Sequence, residues 1–424
     1  MRVLVIGNGA REDALSWRIA ASPSCEAIFA APGNAGTASR GENWDLAATD
    51  GKALAKRCEA ERMDLVVLGP ETAIAAGVGD RLRDAGVAVF GPNRSGGRLE
   101  SSKIFSKRFM ERHGIPTARA AIVHSHEAAA KALDEWQGSV VVKADGLAAG
   151  KGVVVTPDAA TARTLLADWY RAGRIPGGGS DVLLEERLNG RELSVFALCD
   201  GRAIAPIGAA CDYKRAGDGD TGPNTGGMGA YSPTSGFPDD CFDLVRERIL
   251  APAMRGLLAE GEQYLGVLYC GLMWTADGPQ VIEFNARFGD PETQALLPRI
   301  GGDFAALLHS VATGAMDLSQ FTTSEQHCVG VVLATGNYPK SSTPLLGLSA
   351  DIVLDDGCHA FWGSSRRNNG TVDAAGGRVL TVTALGDDLT VARAKAYAAV
   401  KQLAGRLGTN QLTYRTDIAA LNVS

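Results

Sequence analysis

The 424-residue sequence predicts an α/β protein with three parts: an N-terminal doubly wound parallel sheet, a central α/β unit and a small strand-rich C-terminal domain. Three patterns support this prediction. Short apolar strands alternate with helices over residues 1–100, two β-branched runs flank a glycine- and lysine-rich loop, and strand patterns dominate after residue 326. Strands and helices that alternate with short loops are typical of a parallel sheet covered on both faces.

The composition indicates a soluble, cytoplasmic protein. Hydrophobic residues make up 45% of the chain and charged residues 21%, which is ordinary for a globular protein. A net charge of −6 with no long basic run argues against nucleic-acid binding. The start, MRVLVIGNGARED, turns polar too early for a signal peptide, and apolar runs are too short to span a membrane. The eight cysteines are scattered, as expected of reduced thiols.

The first unit, residues 1–100, contains four predicted strands and two predicted helices. Each strand is followed by a glycine-bearing loop, with the sequences GNGA, APGNAGT, GPET and FGPN. Ligands of doubly wound sheets bind at the carboxyl ends of the strands, so these loops are predicted to line a site. The strands are Val3–Ile6, Ala27–Ala30, Leu65–Leu68 and Val87–Phe90, and the helices are Arg11–Ala20 and Gly79–Ala85.

The second unit, residues 101–325, begins with a predicted helix and contains a predicted mobile lid subdomain, residues 121–190. A Gly/Pro-rich segment, residues 212–233, lacks periodicity, and segments of that length are usually functional or disordered. The last unit is residues 326–424, with the strand patterns CVGVVLATG, ADIVLDD and GGRVLTVTALG. Further predicted elements are the helices Ser101–His113, Ala159–Tyr170 and Thr390–Leu407, the flexible tract 175–181 and the strand Val182–Glu186.

The lid subdomain opens with a hairpin suited to binding a polyphosphate. Its strands, Val140–Val142 and Val153–Val155, flank the loop KADGLAAGKG. Glycines let the backbone approach a ligand and direct several N–H groups at it, and lysines add positive charge. The loop differs from a P-loop because it joins two strands, and an ordinary glycine-rich hairpin with solvated lysines is the alternative. The residues concerned are Lys143, Gly146, Gly150, Lys151 and Gly152.

Two other strands carry polar residues suited to a nucleotide and its metal. Glu283 and Asn285 are two residues apart, so they share one face of a strand and could provide oxygen ligands to Mg²⁺. Arg287 continues that spacing and could bind a carboxylate or phosphate. Glu185, at a strand end, could accept a bond from an adenine amino group, and Glu192 from ribose hydroxyls. The alternatives are a strand with one solvated polar face for Glu283 and Asn285, and a solvated acidic hairpin for Glu185 and Glu192.

Together these features predict ATP-dependent ligation, and the chain resembles the ATP-grasp superfamily. Within it, the chain is similar to the phosphoribosylamine–glycine ligases, also called glycinamide ribonucleotide synthetases. The resemblance runs nearly end to end and is carried above all by DGDTGPNTGGMGAYSP and EFNARFGDPETQ. It implies a central ATP-grasp fold and an enzyme of purine biosynthesis that joins glycine to 5-phosphoribosylamine through glycyl phosphate, releasing ADP and phosphate.

The resemblance also implies roles for individual residues. Arg287 and Lys143 are expected to be catalytic, and Glu283 and Asn285 to bind Mg²⁺ or Mn²⁺. The residues expected to bind ATP are Lys103, Lys143, Gly146, Gly150, Lys151, Gly152, Glu185 and Glu192. Those expected to face glycine or phosphoribosylamine are Gly9, Asn34, Asp212, Lys214, Gly227, Met228, Arg287, Asp290 and Glu292.

The chain departs from the family pattern at positions expected to face the amine substrate. The usual GNGGREH is GNGARED here, which places Ala10 and Asp13 where the family has glycine and histidine. Tyr213 stands at a usual histidine, and Trp362 lies where an FHAGT motif is expected, followed by Arg366 and Arg367. Lineage drift is one interpretation. The alternatives are a related ligase with a changed amine or amino acid, or a non-catalytic ATP-binding protein.

A nucleotide-dependent oxidoreductase is a competing function suggested by Gly7-x-Gly9 after the first strand. Its fingerprint requires a third glycine where Glu12 stands, and an acidic residue after the second strand, which the sequence lacks. The expected partners are therefore small molecules (glycine, 5-phosphoribosylamine and ATP), without nucleic acid or membrane. The chain is expected to be a monomer or a weak homo-oligomer.

Overall fold

The computed structural model describes residues 1–147, 152–407 and 411–420. Within those residues, every helix is too short or too polar to cross a membrane. The eight cysteines are all free thiols. The α/β class predicted from the sequence is confirmed, and the elements below are labelled in chain order.

The N-terminal sheet has five parallel strands in the order β3-β2-β1-β4-β5. Its four predicted strands and two predicted helices are confirmed, because each apolar run is buried between helices as a parallel sheet requires. The strand order reverses between β1 and β4, where doubly wound sheets bind ligands. The elements are β1 (Arg2–Gly7), α1 (Ala10–Ala20), β2 (Ala27–Pro32), β3 (Glu42–Asn43), α2 (Gly51–Glu61), β4 (Leu65–Leu68), α3 (Glu71–Ala75), α4 (Val78–Asp84) and β5 (Ala88–Phe90).

Two helices lead out of this sheet where the sequence predicted one over Ser101–His113. They are α5 (Arg98–Ser101) and α6 (Lys103–Arg112). Ser102 separates them with an extended backbone, and its hydroxyl caps α6 by accepting a bond from the amide of Phe105. The cap fixes the start of the helix that carries Lys103.

The lid subdomain is a four-stranded antiparallel sheet in the order β6-β9-β7-β8, covered by two helices. The predicted hairpin is confirmed, since Val140 pairs with Thr156 and Lys143 with Val153. Gly150 and Lys151 lie outside the described residues. The elements are β6 (Ala120–Val123), α7 (His126–Asp134), β7 (Val140–Ala144), β8 (Val153–Thr156), α8 (Ala159–Ala172) and β9 (Val182–Glu186).

The rest of the central unit contains helices and nine strands, of which five join a large sheet and four form two separate two-stranded sheets. These elements are β10 (Arg191–Asp200), β11 (Ile204–Asp212), β12 (Arg215–Gly217), β13 (Thr221–Asn224), β14 (Gly229–Ser232), α9 (Cys241–Val245), α10 (Ala251–Ala259), β15 (Leu265–Thr275), β16 (Gly278–Asn285), α11 (Glu292–Leu296), β17 (Ile300–Gly302), α12 (Phe304–Ala312) and β18 (Phe321–Thr323). A π-helical turn, Arg246–Leu250, joins α9 to α10.

The C-terminal residues that the structure describes continue the same sheet with four strands, and three further strands form a separate three-stranded sheet. They form β19 (His327–Thr335), β20 (Leu345–Ser349), β21 (Cys358–Trp362), β22 (Ser365–Asn368), β23 (Thr371–Ala374), β24 (Arg378–Gly386), α13 (Leu389–Arg406) and β25 (Leu412–Thr413). The strand order of the large sheet is β16-β15-β10-β11-β14-β19-β24-β21, so β14 joins central strands to C-terminal ones. The helix predicted over Thr390–Leu407 is confirmed within one residue of each end.

The segment 212–233, expected to be functional or disordered, includes the buried strand β14. Gly229 and Ala230 are small residues, so β14 lacks the apolar pattern by which a strand is predicted.

The strand predicted for ADIVLDD is wrong. Ile352 and Leu354 are half-buried against the C-terminal core and Val353 is 64% exposed, so the alternation arises from packing without strand pairing.

Aromatic packing unites the N-terminal sheet with the large sheet. Phe288 is 1% exposed, and its ring centroid lies 5.9 Å from that of Phe90 in β5 and 6.5 Å from that of Phe196 in β10. Phe304 of α12 lies 6.4 Å away on a further side. The segment after β16 is therefore fixed from three directions.

We expect Gly229→Ala to lower stability by about 1–3 kcal/mol, because close-packed interiors tolerate added methyl groups poorly. A Cβ at Gly229 would lie 2.7 Å from the carbonyl oxygen of Gly330 and 2.8 Å from Cδ1 of Ile418. The control is Gly405→Ala in α13, where a Cβ meets nothing within 4 Å and should add stability. Thermal unfolding measures both. An unchanged midpoint for Gly229→Ala would contradict close packing at this joint.

Candidate active site

The candidate site lies where the carboxyl end of the N-terminal sheet meets the segment after β16. Arg11, at the start of α1, donates from Nη1 to the carbonyl oxygen of Phe288 at 3.1 Å. Glu71, the first residue of α3 after β4, has its Oε2 3.5 Å from Nε of Arg287. The loops predicted from the first domain therefore do face the strand that carries Glu283 and Asn285.

Lys143 is buried at the base of the hairpin, 6% exposed. Its ammonium forms an ion pair with Glu185 and donates to the carbonyl oxygen of Ile282 at 3.0 Å. Glu185 also pairs with Lys107, whose Nζ lies 2.5 Å from Oε1. The structure thus brings Lys143 and Glu185 together, and Glu185 carries two cationic partners that the sequence argument did not give it.

The first turn of the lid loop is attached to the start of α6. Nζ of Lys103 donates to the carbonyl oxygen of Gly146 at 2.9 Å. The carboxylate of Asp145 accepts from the hydroxyl of Ser102 at 3.1 Å and from the amide of Ile104 at 3.1 Å. Gly146 has φ +92°, a conformation that glycine adopts readily. Lys103, predicted from the sequence to bind ATP, therefore lies where the loop after β7 contacts α6.

Glu283 lies among positive charges at the end of β16. Burial raises its pKa, but Lys214, Lys143, Lys103 and Arg287 outweigh that effect, so the pKa lies below its usual value. The carboxylate is consequently ionised at neutral pH. These four cations would equally attract a polyphosphate.

Glu283 and Asn285 fit a hard divalent cation because both offer oxygen donors and Glu283 is held ionised. Asn285 is 7% exposed, and its Oδ1 accepts from Nη2 of Arg287 at 3.2 Å. Within the described ranges, His, Cys, Asp and Glu form no group of three that could hold a metal. The donor set here is thus one carboxylate and one amide.

Arg287 is held by acidic residues from outside its own strand. Its Nη2 lies 2.8 Å from Oε1 of Glu100, and Glu71 lies on its other side. Burial lowers the pKa of Arg287, but Glu100 and Glu71 outweigh that effect and raise it. Glu100 also accepts from the amide of Ala286 at 2.8 Å. The guanidinium is therefore positioned before any substrate binds.

A second group of charges surrounds Lys214. Its Nζ lies 2.5 Å from Oε2 of Glu192 and 3.8 Å from Oδ1 of Asp212. Burial raises the pKa of Asp212 to about 7, and the neighbouring carboxylates of Glu292, Glu192 and Glu283 add to the increase although Lys214 opposes it. Carboxylates beside the ammonium of Lys214 are an arrangement suited to an amino acid zwitterion.

Glu292 lies behind this group at the start of α11, 4% exposed. Its Oε1 accepts from the hydroxyl of Tyr269 at 2.7 Å, and that hydroxyl lies 2.9 Å from Oγ of Ser194. Tyr269 and Ser194 were missed by the sequence argument because they belong to buried strands whose pattern predicts only packing. The buried chain of polar groups holds the Glu292 carboxylate in one orientation.

Asp290 connects this region to the C-terminal strands. Its Oδ2 lies 3.2 Å from Nη2 of Arg378, the first residue of β24. Nη1 of Arg378 donates to the carbonyl oxygen of Gly226 at 2.7 Å. Gly227, with φ +108°, packs so closely on Pro291 that a Cβ would lie 2.3 Å from its Cδ. Arg378 was also missed, since nothing local marks it as a partner of Asp290.

The loop before β14 is held by backbone bonds to its own start. Met228 donates from its amide to the carbonyl oxygen of Tyr213 at 2.8 Å, and Tyr213 donates to that of Gly229 at 3.0 Å. Met228 is 3% exposed, so its side chain packs in the interior. The carbonyl oxygen of Met228 accepts from the amide of Val332 at 3.0 Å, so both backbone polar groups of Met228 are paired within the fold.

Gly9 and Asn34 lie together in the loops after β1 and β2. Nδ2 of Asn34 donates to the carbonyl oxygens of Asn8 at 3.1 Å and Gly9 at 3.0 Å. The amide of Gly9 donates to Oε2 of Glu12 at 2.6 Å. Asn34 is 1% exposed, so a buried side chain joins the two loops predicted to face the amine substrate. Ala10 is 5% exposed and packs in the domain core.

Known proteins match the chain over nearly its whole length. Residues 1–100 match the N domain of phosphoribosylglycinamide synthetase, residues 101–293 its ATP-grasp (A) domain and residues 328–421 its C domain. The phosphoribosylamine–glycine ligase of Caulobacter vibrioides is 42% identical over 422 residues, which cover 99% of this chain and 97% of that one. The corresponding protein of Yersinia pestis is 43% identical over 425 residues, covering 99% and 98%.

Solved structures agree with this match. The phosphoribosylamine–glycine ligase of Thermotoga maritima has a TM-score of 0.86 and 32% identity, with 99% of this chain and 100% of that chain covered. The biotin carboxylase domain of Hydrogenobacter thermophilus 2-oxoglutarate carboxylase, solved with MgADP, has a TM-score of 0.72 at 14% identity and covers 97% and 91%, so it shares the ATP-grasp fold. The chain belongs to the phosphoribosylglycinamide synthetase family.

Proposed function

We propose that the protein is an ATP-dependent ligase that joins glycine to 5-phosphoribosylamine in purine biosynthesis. The observation that carries this is the full-length match to phosphoribosylamine–glycine ligases, combined with a site that places four cations around Glu283. A changed substrate and a non-catalytic protein were open alternatives on the sequence alone. The family match over all three domains favours the ligase.

The chemistry needs no protein nucleophile. A carboxylate oxygen of glycine attacks the γ-phosphorus of ATP, the bond to the β-phosphate oxygen breaks, and ADP leaves. The amine of phosphoribosylamine then attacks the acyl carbon of glycyl phosphate, a C–N bond forms, phosphate leaves and the nitrogen loses a proton. Both steps develop negative charge on phosphate oxygens, so the protein acts chiefly through positioning and charge neutralisation.

The ATP phosphates would lie among Lys143, Lys103 and Arg287, with the lid loop closing over them. Lys143 is buried and Lys103 half-buried beside Glu283, where their charge is screened less than at the surface. Glu185 and Glu192 are the proposed adenine and ribose partners. Glu192 is exposed at the start of β10, and Lys214 is its ion-pair partner within the described ranges, so it is accessible to a ribose hydroxyl.

Glu283 and Asn285 would hold the divalent cation, for which oxygen donors favour Mg²⁺ or Mn²⁺. A cation held there would neutralise charge on the ATP phosphates. On the protein side, Arg287 keeps the Asn285 amide oriented through its bond to Oδ1. Glu100 in turn keeps Arg287 in place.

Glycine would bind between Lys214 and the carboxylates of Asp212 and Glu292. An ammonium group suits the acidic pair, and the substrate carboxylate suits Lys214 or Arg287. Asp290 and the backbone of Gly227 and Met228 would form the adjoining wall, where Pro291 contacts Gly227. The amine substrate would approach from the N-terminal loops that carry Gly9 and Asn34.

The direct test is ADP release measured with glycine and phosphoribosylamine, each also omitted in turn. We expect release that depends on both, with kcat/KM within about 10⁴–10⁸ M⁻¹s⁻¹. A panel of other amino acids and amines serves as the control. Efficient ADP release with another pair, and none with this one, would overturn the assignment.

The metal prediction concerns Glu283→Gln and Asn285→Ala. Glu283→Gln removes the negative charge of one proposed ligand and Asn285→Ala removes the amide oxygen of the other, so turnover should fall by about 100-fold or more at limiting Mg²⁺. Excess Mg²⁺ should restore part of the loss. The control is Glu260→Gln, because Glu260 pairs only with surface residues Arg112 and His113 among the described residues. Near-normal turnover of Glu283→Gln would remove that residue from the metal site.

The lid prediction concerns hydrogen exchange in residues 140–147 and 175–181. Amides of glycine-rich loops have few buried contacts, and phosphate binding would give their N–H groups partners. We therefore expect exchange in these peptides to slow when a non-hydrolysable ATP analogue and Mg²⁺ are added. The buried strand β1 provides the internal reference. Equal exchange with and without the analogue would contradict a closing lid.

A further inference from the structure

Two residues that depart from the family pattern contact each other across the molecule. The amide of Trp362, at the end of β21, donates to Oδ2 of Asp13 in α1 at 2.8 Å. The other carboxylate oxygen of Asp13 forms an ion pair with Nη1 of Arg40. Asp13 is fully buried, and the side chain of Arg40 is 19% exposed. Asp13, Arg40 and Trp362 therefore form one buried unit, defined here as the Asp13 junction.

The Asp13 junction lies directly under the loop that carries Asn34. Nη1 of Arg40 also donates to the carbonyl oxygen of Gly36 at 2.8 Å. A Cβ at Gly36 would lie 1.9 Å from Oδ2 of Asp13, so the loop and the carboxylate are in close contact. On the side of the C-terminal domain, Nδ2 of Asn34 donates to the carbonyl oxygen of Trp362 at 2.7 Å. The loop is thus fixed from both sides.

The segment after Trp362 continues across the same two N-terminal loops. Oγ of Ser364 accepts from Nδ2 of Asn8 at 3.0 Å, and Nε of Arg367 donates to the carbonyl oxygen of Ala35 at 3.1 Å. Residues 363–367 of the C-terminal domain therefore pack on the two loops that Asn34, itself 1% exposed, holds together. That segment overlaps residues 361–365, FWGSS, where the family resemblance leads us to expect FHAGT.

The charge balance of the Asp13 junction explains why its parts must change together. A buried carboxylate needs a partner, and removal of one member of a buried pair leaves the other charge uncompensated. Arg40 supplies the partner charge, and the amide of Trp362 supplies the second bond. His359 also faces this region, and burial together with Arg40 lowers its pKa, so it adds no second cation at neutral pH.

We propose that the Asp13 junction is a positioning device for the amine substrate: it holds residues 363–367 against the loops of Asn8–Gly9 and Asn34–Ala35. This inference rests on the proposed function for its choice of substrate. Asp13 and Trp362, which depart from the family pattern, are then two parts of one structural change that also includes Arg40. Lys143, Lys103 and Lys214, the proposed partners of ATP and glycine, bond to other groups than Asp13, Arg40 and Trp362 in the described part of the chain.

Arg40→Met tests the proposal, since it removes the positive charge from a partly exposed position and keeps an apolar stem. Exchange in peptides covering residues 33–37 and 358–367 should become faster, and exchange in β7 and β16 should stay the same. The KM for phosphoribosylamine should rise about tenfold or more, with KM for ATP and glycine changed less than about twofold. Arg40→Lys should recover part of both effects.

The matched control is Arg57→Met, which removes a guanidinium from an exposed ion pair with Glu42 on the same domain. It should leave both exchange and kinetics unchanged. Asp13→Asn is the second variant, because it keeps the bond from Trp362 but loses the charge that pairs with Arg40. Its exchange pattern should match that of Arg40→Met.

Two results would overturn the proposal. One is unchanged exchange of residues 358–367 in Arg40→Met, and the other is an equal rise of KM for all three substrates, which indicates a general structural role. The exchange measurement needs no substrate. If the unmodified protein fails to release ADP with phosphoribosylamine, the proposed function fails, and exchange still decides whether the junction holds the segment.

Discussion

The rest of the structure depends on the ten residues from Glu283 to Glu292, which contact every part of the protein. Glu283 lies among the lysines of the lid and its root, and Arg287 is held by carboxylates from the N-terminal unit. Phe288 packs between the N-terminal and the large sheet. Asp290 then pairs with a C-terminal arginine. Since neighbouring residues in one short segment anchor three domains, the relative placement of the domains and the geometry of the site are set together.

Electrostatic balance explains why so many charges are buried near this segment. Lys143 and Glu185 neutralise each other, as Arg287 does with Glu100, so the isolated protein avoids uncompensated buried charge. Bound phosphates and a cation would form ion pairs with these same charged groups, in place of some ion pairs of the free protein. The site is therefore organised before its substrates arrive, and such preorganisation is what lets fixed charges stabilise a transition state.

Local patterns in the sequence predicted most elements and several members of the site, and long-range contacts account for the remainder. The hairpin at Lys143 and the shared face of Glu283 and Asn285 follow from strand periodicity. Lys107 could have been found, because it lies one helical turn after Lys103 on the same face. The bond between Asp13 and Trp362 joins residues 349 positions apart, so no periodicity indicates it.

Because β14 pairs with β11 on one side and with β19 on the other, the C-terminal quarter of the chain is inseparable from the centre. A fragment that stopped before residue 326 would expose the unpaired edge of β14, and such an edge templates association with other chains. A gene fusion or truncation therefore has to keep the pairing of β14 with β19 intact. A C-terminal domain acquired from another protein would need a strand able to pair with β14. This requirement favours inheritance of the whole sheet as one unit.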